Sequence, residues 1–465
     1  MGYVGLATAL AMAWIGHDVC GVEVDGQRLE DLRRGHAPFY EPGVETLLSH
    51  LTPRLSFRRA LDENLTRGAD VVMITVGTPS RPDGAADLRS LDRVTTSLAE
   101  LLSPDGDTVV VNKSTAPVGT LDQIAASLPA GTLLASNPEF LRQGQALLDT
   151  LYPDRVVVGT RQPAAAERLR DVYGPILAGE VGPPPGLRAP GQQPRPYLVM
   201  DPSSAELAKY AANAFLALKI SFVNEIANVC DAVGADIDQV AEVIGRDPRI
   251  GRQYLRAGIG YGGSCFPKDT RALHAIAGNS GYPFQLLKAV IEVNQLQAAR
   301  VAQRLDRALP GGLAGKRVAV LGLAFKPGTD DMREAPSLAI IADLAARGAE
   351  VAAHDPLVAA KAPPPAVPAN SVADAVAGAD AVLVMTEWPA YVALREEDLA
   401  GMRGRLVFDG RNALDPAAFP HMTYMGVGRA GHPRAAPEAA AASQGREAAA
   451  NARRPPRRGS ADART

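Results

Sequence analysis

Of the three cysteines in the 465-residue chain, Cys265 has the neighbours that reactive sulfur needs. It lies in Gly262-Gly263-Ser264-Cys265-Phe266-Pro267-Lys268-Asp269. The two glycines predict a tight turn with exposed backbone amides. Pro267 suits the first turn of a helix, where a missing N–H costs nothing. Cys265 is therefore expected just before a helix N-terminus and beside Lys268. Both the helix end and the ammonium favour the thiolate, the nucleophilic form of the side chain. Asp269 comes one helical turn later and can face the same site. Cys20 and Cys230 suit the plainer role of buried structural thiols. Such an odd, sparse set is not a disulfide framework and fits a reducing cytoplasm.

A second chemical feature lies at the other end. Gly2-Tyr3-Val4-Gly5 precedes a helix of small residues, Leu6 to Ile15, and a strand then ends at Glu23-Val24-Asp25. This is the back part of a dinucleotide-binding unit. Gly2 lets the backbone approach a pyrophosphate, Gly5 lets the helix pack closely on the sheet, and the helix N-terminus faces the phosphates. An acid about 20 positions further on bonds the ribose hydroxyls; Glu23 is the first choice and Asp25 the alternative. The strand and first glycine that begin such a motif are missing. In the 3-2-1-4-5-6 sheet order that strand is central. Two neighbouring strands are then expected to keep unpaired backbone groups, at about 1–3 kcal/mol for each one buried. A total stability of about 5–15 kcal/mol cannot absorb many of these. The expectation is a start set too late, since no chemical position shows decay.

The elements that position these residues follow from periodicity. Asp18–Val24, Ala69–Val76, Thr108–Asn112, Thr132–Ser136 and Arg155–Gly159 read as strands separated by helices such as Asp87–Leu102. Buried strands alternating with helices predict a parallel sheet covered on both faces. Gly179–Pro196, rich in Pro and Gly, reads as a surface loop. A helix from about Ser203 to Val233 follows, with Gly234 suited to its C-terminal end, and helices continue to about Leu309. Alternation restarts with strands at Lys316–Gly322, Glu350–His354, Ala379–Met385 and Arg405–Phe408 and a helix at Ser337–Arg347. The expected fold is α/β: two Rossmann-like domains, over 1–200 and 310–428, joined by a helical, dimerising domain over 201–309. Residues 429–465, with Ala, Arg, Pro and Ser in no period, are expected to be a disordered tail. Net charge is −3, with no basic block in the folded region, which argues against nucleic acid. No apolar run approaches the roughly 20 residues of a membrane span, and no signal peptide is expected. The seven histidines form no ligand-spaced cluster, so no metal is expected.

The Cys265 segment resembles the active-site signature of the UDP-glucose/GDP-mannose dehydrogenase family. Other stretches match in order: Tyr40-Glu41-Pro42-Gly43, Val76-Gly77-Thr78-Pro79, Lys113-Ser114-Thr115 with Pro117-Val118-Gly119, and Asn137-Pro138-Glu139-Phe140-Leu141. Ala205-Glu206-Leu207 with Lys209 and Asn213, Asp247 to Gly251, and Ala324-Phe325-Lys326 complete the set. The resemblance implies NAD as cofactor and oxidation of a sugar CH₂OH to a carboxylate in two hydride transfers. Cys265 would form a thiohemiacetal and then a thioester. Lys209 and Asn213, spaced i, i+4 on one helix face, would stabilise the oxyanion. Asp269 would hold or deprotonate a water, Thr115 would hydrogen-bond it, and Glu139 would be the base for hydrolysis.

The same resemblance implies cofactor contacts from Gly2, Tyr3, Val4, Gly5, Glu23, Arg28, Thr78, Thr115, Gln143, Lys268 and Arg333. For the UDP-sugar it implies Phe140, Leu141, Lys209, Asn213, Tyr254, Tyr261, Gly262, Phe325, Lys326 and Arg411, with Arg249 reaching in from a neighbouring subunit. A homodimer is implied on the long central helix, which is apolar on more than one face. Lys219 to Glu225 and the Ser264-Cys265-Phe266 triplet look more like the UDP-glucose branch than the GDP-mannose one, so oxidation of UDP-glucose to UDP-glucuronate is expected. The competing expectation is a truncated homologue that binds without turnover. Two further departures stand out: Gln143 replaces the family's usual glutamate near the cofactor, and the loop at Gly179–Pro196 is longer than expected and should only decorate the surface.

Overall fold

The computed structural model describes residues 1–103 and 106–429. The first α/β unit holds two sets of strands. β1 (Val19–Val22) pairs in parallel with β2 (Leu55–Arg58). β3 (Val71–Ile74), β4 (Val109–Asn112), β5 (Leu133–Ser136), β6 (Val156–Gly159) and β7 (Tyr197–Met200) form a second sheet in that order. Its pairs are parallel except where β5 meets β6, antiparallel at Ser136 and Gly159. β1 and β3 belong to separate sheets, so no ladder joins them. The side chain of Met1 lies there: a Cβ on Gly21 would stand 3.0 Å from its Cε.

The all-buried, β-branched run of β4 reflects a strand covered on both faces. β2 and β7 were not expected. β2 carries only two apolar residues in four, and β7 follows directly on the Pro-rich loop. The first helix also begins earlier than Leu6, at Tyr3, and runs to Trp14. Tyr3, Val4 and Gly5 therefore form its first turn.

The second α/β unit is a six-stranded parallel sheet of β8 (Arg317–Leu321), β9 (Glu350–His354), β10 (Val367–Pro368), β11 (Ala381–Val384), β12 (Leu406–Asp409) and β13 (Thr423–Gly426), in the order β10-β9-β8-β11-β12-β13. Between the units stand helices at Pro202–Val233, Ile237–Gly245, Phe266–Asn279 and Gln285–Ala308. The 32-residue central helix is capped by the Asp201 side chain on the Ser204 amide and ends at Gly234 in the left-handed region, φ +78°. Its lower half (Val223, Ala227, Cys230) belongs to the core of the second unit. Its upper half is pinned to the first, where the Glu206 carboxylate accepts from the amides of Gly119 and Leu121 at 2.7 and 2.9 Å. The same rigid rod thus indexes both units. Arg429, read from the sequence as the first residue of the tail, is held by Asp238 and the Tyr424 hydroxyl; residues 430–465 lie outside the described residues. Among the described residues no helix is long and apolar enough to cross a membrane.

Glu41 is buried under the first unit and caps the helix Ala146–Leu151 through the amides of Gly144 (2.7 Å) and Ala146 (2.8 Å). Burial pushes its carboxyl up to about 7, against the pull of those amides and of Lys326. Because the folded value lies above the unfolded one, its contribution to stability is complete below the ordinary carboxylate range and is lost as pH rises through neutrality. Denaturation of wild type from about pH 5 to about pH 8 should show a loss on the order of 3 kcal/mol that Glu41→Gln removes. Identical pH slopes for the two proteins would contradict this.

Candidate active site

Cys265 is the N-cap of the helix Phe266–Asn279, with Pro267 in the first turn, as its sequence requires. The turn before it is fixed from both sides. The Tyr261 amide donates to Asn294 Oδ1 at 2.8 Å, and the Gly263 amide donates to the Arg333 carbonyl at 2.9 Å. Gly262 has no room for a side chain, since a Cβ would stand 2.3 Å from the Glu334 carbonyl. Gly263 adopts φ +84° and would meet the Phe325 ring at 2.8 Å. Only glycine at both positions lets the two units close on the cysteine.

Around the half-buried thiol stand two buried polar pairs. Lys209 Nζ lies 3.1 Å from Glu139 Oε1, with both side chains almost inaccessible. Asn213 Nδ2 donates to Asp269 Oδ2 at 2.6 Å, and Lys268 Nζ is bound to the other oxygen of Asp269. Lys209 and Asn213 project from one face of the central helix and Asp269 from the Cys265 helix, so helix packing brings the four together. Burial opposes the charge on Lys209, but Glu139, Cys265 and Asp269 outweigh it and hold the ammonium above its ordinary value. Burial likewise opposes ionisation of Glu139, yet Lys209, the Leu141 amide and Lys113 hold it below the usual carboxylate range.

The surroundings of the thiol pull against the thiolate that its local sequence favours. Burial and the carboxylates of Glu139 and Asp269 push it up, with Lys209 pulling the other way. Lys268, expected to promote the thiolate, is spent on Asp269. The free site therefore disfavours the thiolate.

A chain of hydrogen bonds leads from the sulfur across to the second unit. Ser264 Oγ is 3.6 Å from Sγ; Gln143 Nε2 donates to Ser264 Oγ at 3.2 Å and to Asp331 Oδ2 at 3.0 Å; Arg333 Nη2 holds Asp331 at 2.7 Å. The amide at position 143 is thus what Asp331 needs, because a glutamate would set carboxylate against carboxylate. Gln143→Glu should lower stability by about 1–3 kcal/mol near neutral pH, shrinking in acid as one carboxyl takes a proton. Denaturant melts at two pH values test this, and an unchanged neutral melt would contradict it.

Not every expected residue converges. Phe325 packs on Gly263. Arg411 donates to the carbonyls of Met385, Gly260 and Phe325, so it braces the site's floor. Burial holds the Lys326 ammonium below its ordinary value despite Glu41. Tyr261 and Tyr254 both pack against Phe266, with centroids 5.9 and 6.1 Å away. Leu141 gives its amide to Glu139 at 2.6 Å. The Thr78 hydroxyl bonds the Thr115 carbonyl at 2.6 Å, and no hydrogen bond from the Thr115 side chain is seen among the described residues. Arg249, its side chain 87% exposed, pairs with Asp247 and reaches none of the groups around Cys265. Glu41, Ser264 and Asp331 were missed as site residues; a lone acid inside Tyr-Glu-Pro-Gly was the signal for the first.

At the cofactor end Gly2 caps the first helix with open space where a Cβ would be, and no side chain caps its free amides. Those donors suit a pyrophosphate. A Cβ on Gly5 would stand 2.7 Å from Thr75 Oγ1, the close helix–sheet approach expected there. Tyr3 stacks on Phe39 at 3.9 Å and donates to Asp330 at 2.8 Å. Asp25 is used as a helix cap on Arg28, which leaves the buried Glu23 for ribose. One Glu23 oxygen holds the Met1 amino group at 2.6 Å and the other the Asp25 amide at 2.9 Å. A carboxylate accepts about four bonds, so capacity remains and the residues fit a dinucleotide.

Comparison with known proteins decides the family. Models of the UDP-glucose/GDP-mannose dehydrogenase family match its NAD binding domain at residues 1–177, its central domain at 203–296 and its UDP binding domain at 319–416. The chain belongs to this family. It is 44% identical over 92% of its length to UDP-glucose 6-dehydrogenase YwqF of Bacillus subtilis, covering 96% of that protein. It is 42% identical over 93% of its length to UDP-glucose 6-dehydrogenase of Pseudomonas aeruginosa, covering 98%. Its fold is similar to a UDP-glucose dehydrogenase from Pyrobaculum islandicum, with TM-score 0.81 and 39% identity over 92% of this chain and 96% of that one. The chain is therefore an NAD-dependent oxidoreductase with a UDP-binding second unit. Among the described residues no group of three His, Cys, Asp or Glu could hold a metal.

Proposed function

We propose that the chain oxidises UDP-glucose to UDP-glucuronate through covalent attachment to Cys265. The observation that carries this reading is the pairing of a cysteine with a buried Lys209–Glu139 ion pair and a buried Asn213–Asp269 bond at the junction of the NAD-binding and UDP-binding units. NAD would supply the hydride acceptor for each oxidation, held through Gly2, Tyr3, Val4, Gly5 and Glu23, with Arg28, Thr78, Gln143 and Arg333 as further contacts. In the first oxidation C6 gives up a hydride and the C6 hydroxyl gives its proton to the water held by Asp269, leaving an aldehyde. The thiol then adds to it: the S–C bond forms as the sulfur proton passes to the carbonyl oxygen, steadied by Lys209 and Asn213. A protonated thiol is no obstacle to this neutral addition. Loss of the second hydride, with the hydroxyl proton passing to the same water, gives a thioester. Water held by Asp269 and Thr115 attacks it, Glu139 accepts the water's proton and passes it to the departing sulfur, and the S–C bond breaks to return the thiol.

UDP-glucose is favoured over GDP-mannose by the identity of the relatives. Phe325, Lys326, Tyr254, Tyr261 and Arg411 would line the nucleotide side. A homodimer is part of the reading: Phe215, Phe222, Val229 and Val233 form an exposed apolar stripe at helical spacing on the central helix. In such a dimer the outward-pointing Arg249 would serve the partner's site. The decisive assay is NADH formation with UDP-glucose and with GDP-mannose, expecting two NADH per UDP-glucose. Preference for GDP-mannose would sink the substrate, and no turnover of either would favour a binding-only homologue.

A further inference from the structure

The long loop at Gly179–Pro196 does more than decorate the surface. Trp14 donates to its Gly182 carbonyl at 2.8 Å, and Val181 is buried. The loop closes a cavity of about 350 Å³ behind the Glu139 segment, on a wall that does not include Cys265. Lys113, Arg188 and Arg195 line it, as do Arg142 and Arg155. Its three carboxylates are already committed: Glu139 to Lys209 at 3.1 Å, Asp149 to Arg142 at 2.7 Å and Asp154 to Arg155 at 3.9 Å. Lys113, Arg188 and Arg195 have no carboxylate partner among the described residues. Buried Lys113 gives its ammonium only to neutral acceptors, Asn137 Oδ1 at 3.0 Å and the Tyr173 hydroxyl at 3.3 Å. Two of its three hydrogens are used, and one is open. Glu139 feels Lys113 only through space and is itself bound to Lys209; a buried ammonium with no carboxylate in contact is costly, so the cavity is electrostatically incomplete.

We propose that this cavity is a second anion site, taking a small phosphate- or pyrophosphate-bearing molecule between Lys113 and the loop arginines Arg188 and Arg195. Arginine forks bind phosphate oxygens bidentately. Three separated cations suit an anion with oxygens on several sides better than a single carboxylate. The site is one side chain from the reaction centre: the Phe140 ring carries the Arg155 guanidinium 3.7 Å from its centroid and Lys209 Nζ 5.4 Å away. An occupant would draw on Lys113, which also helps keep Glu139 ionised.

Pyrophosphate binding to the full chain by isothermal titration calorimetry tests the site. It reads binding without turnover, so it stands apart from the dehydrogenase reading. Wild type and a control of equal charge loss away from the cavity, Arg67→Ala/Arg93→Ala, should share a saturable component. In Arg188→Ala/Arg195→Ala that component should weaken by about tenfold or more. The proposal is overturned if wild type shows no saturable binding, if all three proteins bind alike, or if both double variants weaken equally. It is also overturned if Arg188→Ala/Arg195→Ala raises the KM for UDP-glucose while pyrophosphate binding stays unchanged, which would make the cavity an arm of the substrate cleft.

Discussion

Cys265→Ala should reduce steady-state NADH formation from UDP-glucose by about 10³-fold or more, because on the proposed route it deletes a covalent intermediate and not merely a contact. Without the sulfur an aldehyde has nothing to hold it as the tetrahedral adduct that the second hydride transfer requires. The change removes one atom from a half-buried position, so the fold should survive, and an unchanged melt would show that it does. The two half-reactions should separate. A single-turnover experiment with excess enzyme would show at most the first NADH, whereas wild type yields two per sugar. Turnover of Cys265→Ala near the wild-type rate would refute the thioester route.

Lys209→Met should cost both stability and chemistry, and the two losses can be parted. Lys209 and Glu139 are buried together at 3.1 Å. Removing one member of such a pair strands the other charge, at about 3–5 kcal/mol. Glu139 would then rise in pKa, because burial already opposes its ionisation and Lys209 is the largest of the influences holding it down. Adding Glu139→Gln should recover most of the stability, since no unpaired carboxylate remains. It should not recover turnover, because neither the oxyanion cation nor the hydrolytic base is restored. Chemical denaturation of the two singles and the double gives the coupling, and kcat gives the chemistry. A double variant no more stable than Lys209→Met alone would mean that the pair is not a closed electrostatic unit.

The segments most legible in the sequence were those whose chemistry is local. The Gly-Gly turn, the proline after Cys265 and the i, i+4 spacing of Lys209 and Asn213 each carry their own geometric meaning, and the α/β alternation follows from strands such as β4, apolar on both faces. Non-local electrostatics was illegible. Nothing near Cys265 in sequence announces that Glu139 and Asp269 would raise its thiol, or that Asp269 would absorb the charge of Lys268. The pairing of Gln143 with Asp331 spans 188 positions. β2 was missed because an edge strand with few apolar residues lacks the signal of a buried one, and β7, apolar throughout, because it follows directly on the Pro-rich loop. The Pro-rich loop was correctly read as irregular, but composition cannot tell an idle loop from one that walls a cavity.

Asp330 and Asp331 tie the second unit to the first: one holds Tyr3 beside the cofactor glycines, and the other holds Gln143 beside the cysteine. The proposed reaction consumes two dinucleotides per sugar and would have to exchange the spent one for a fresh one midway, with the sugar still attached. On the proposed route these adjacent aspartates would act as a two-point clasp, since their hydrogen bonds join the cofactor end of the first unit to the cysteine. How fast the clasp lets go would then set the pace of catalysis, and its strength would be tuned as a compromise between admitting a second cofactor and keeping water from the adduct.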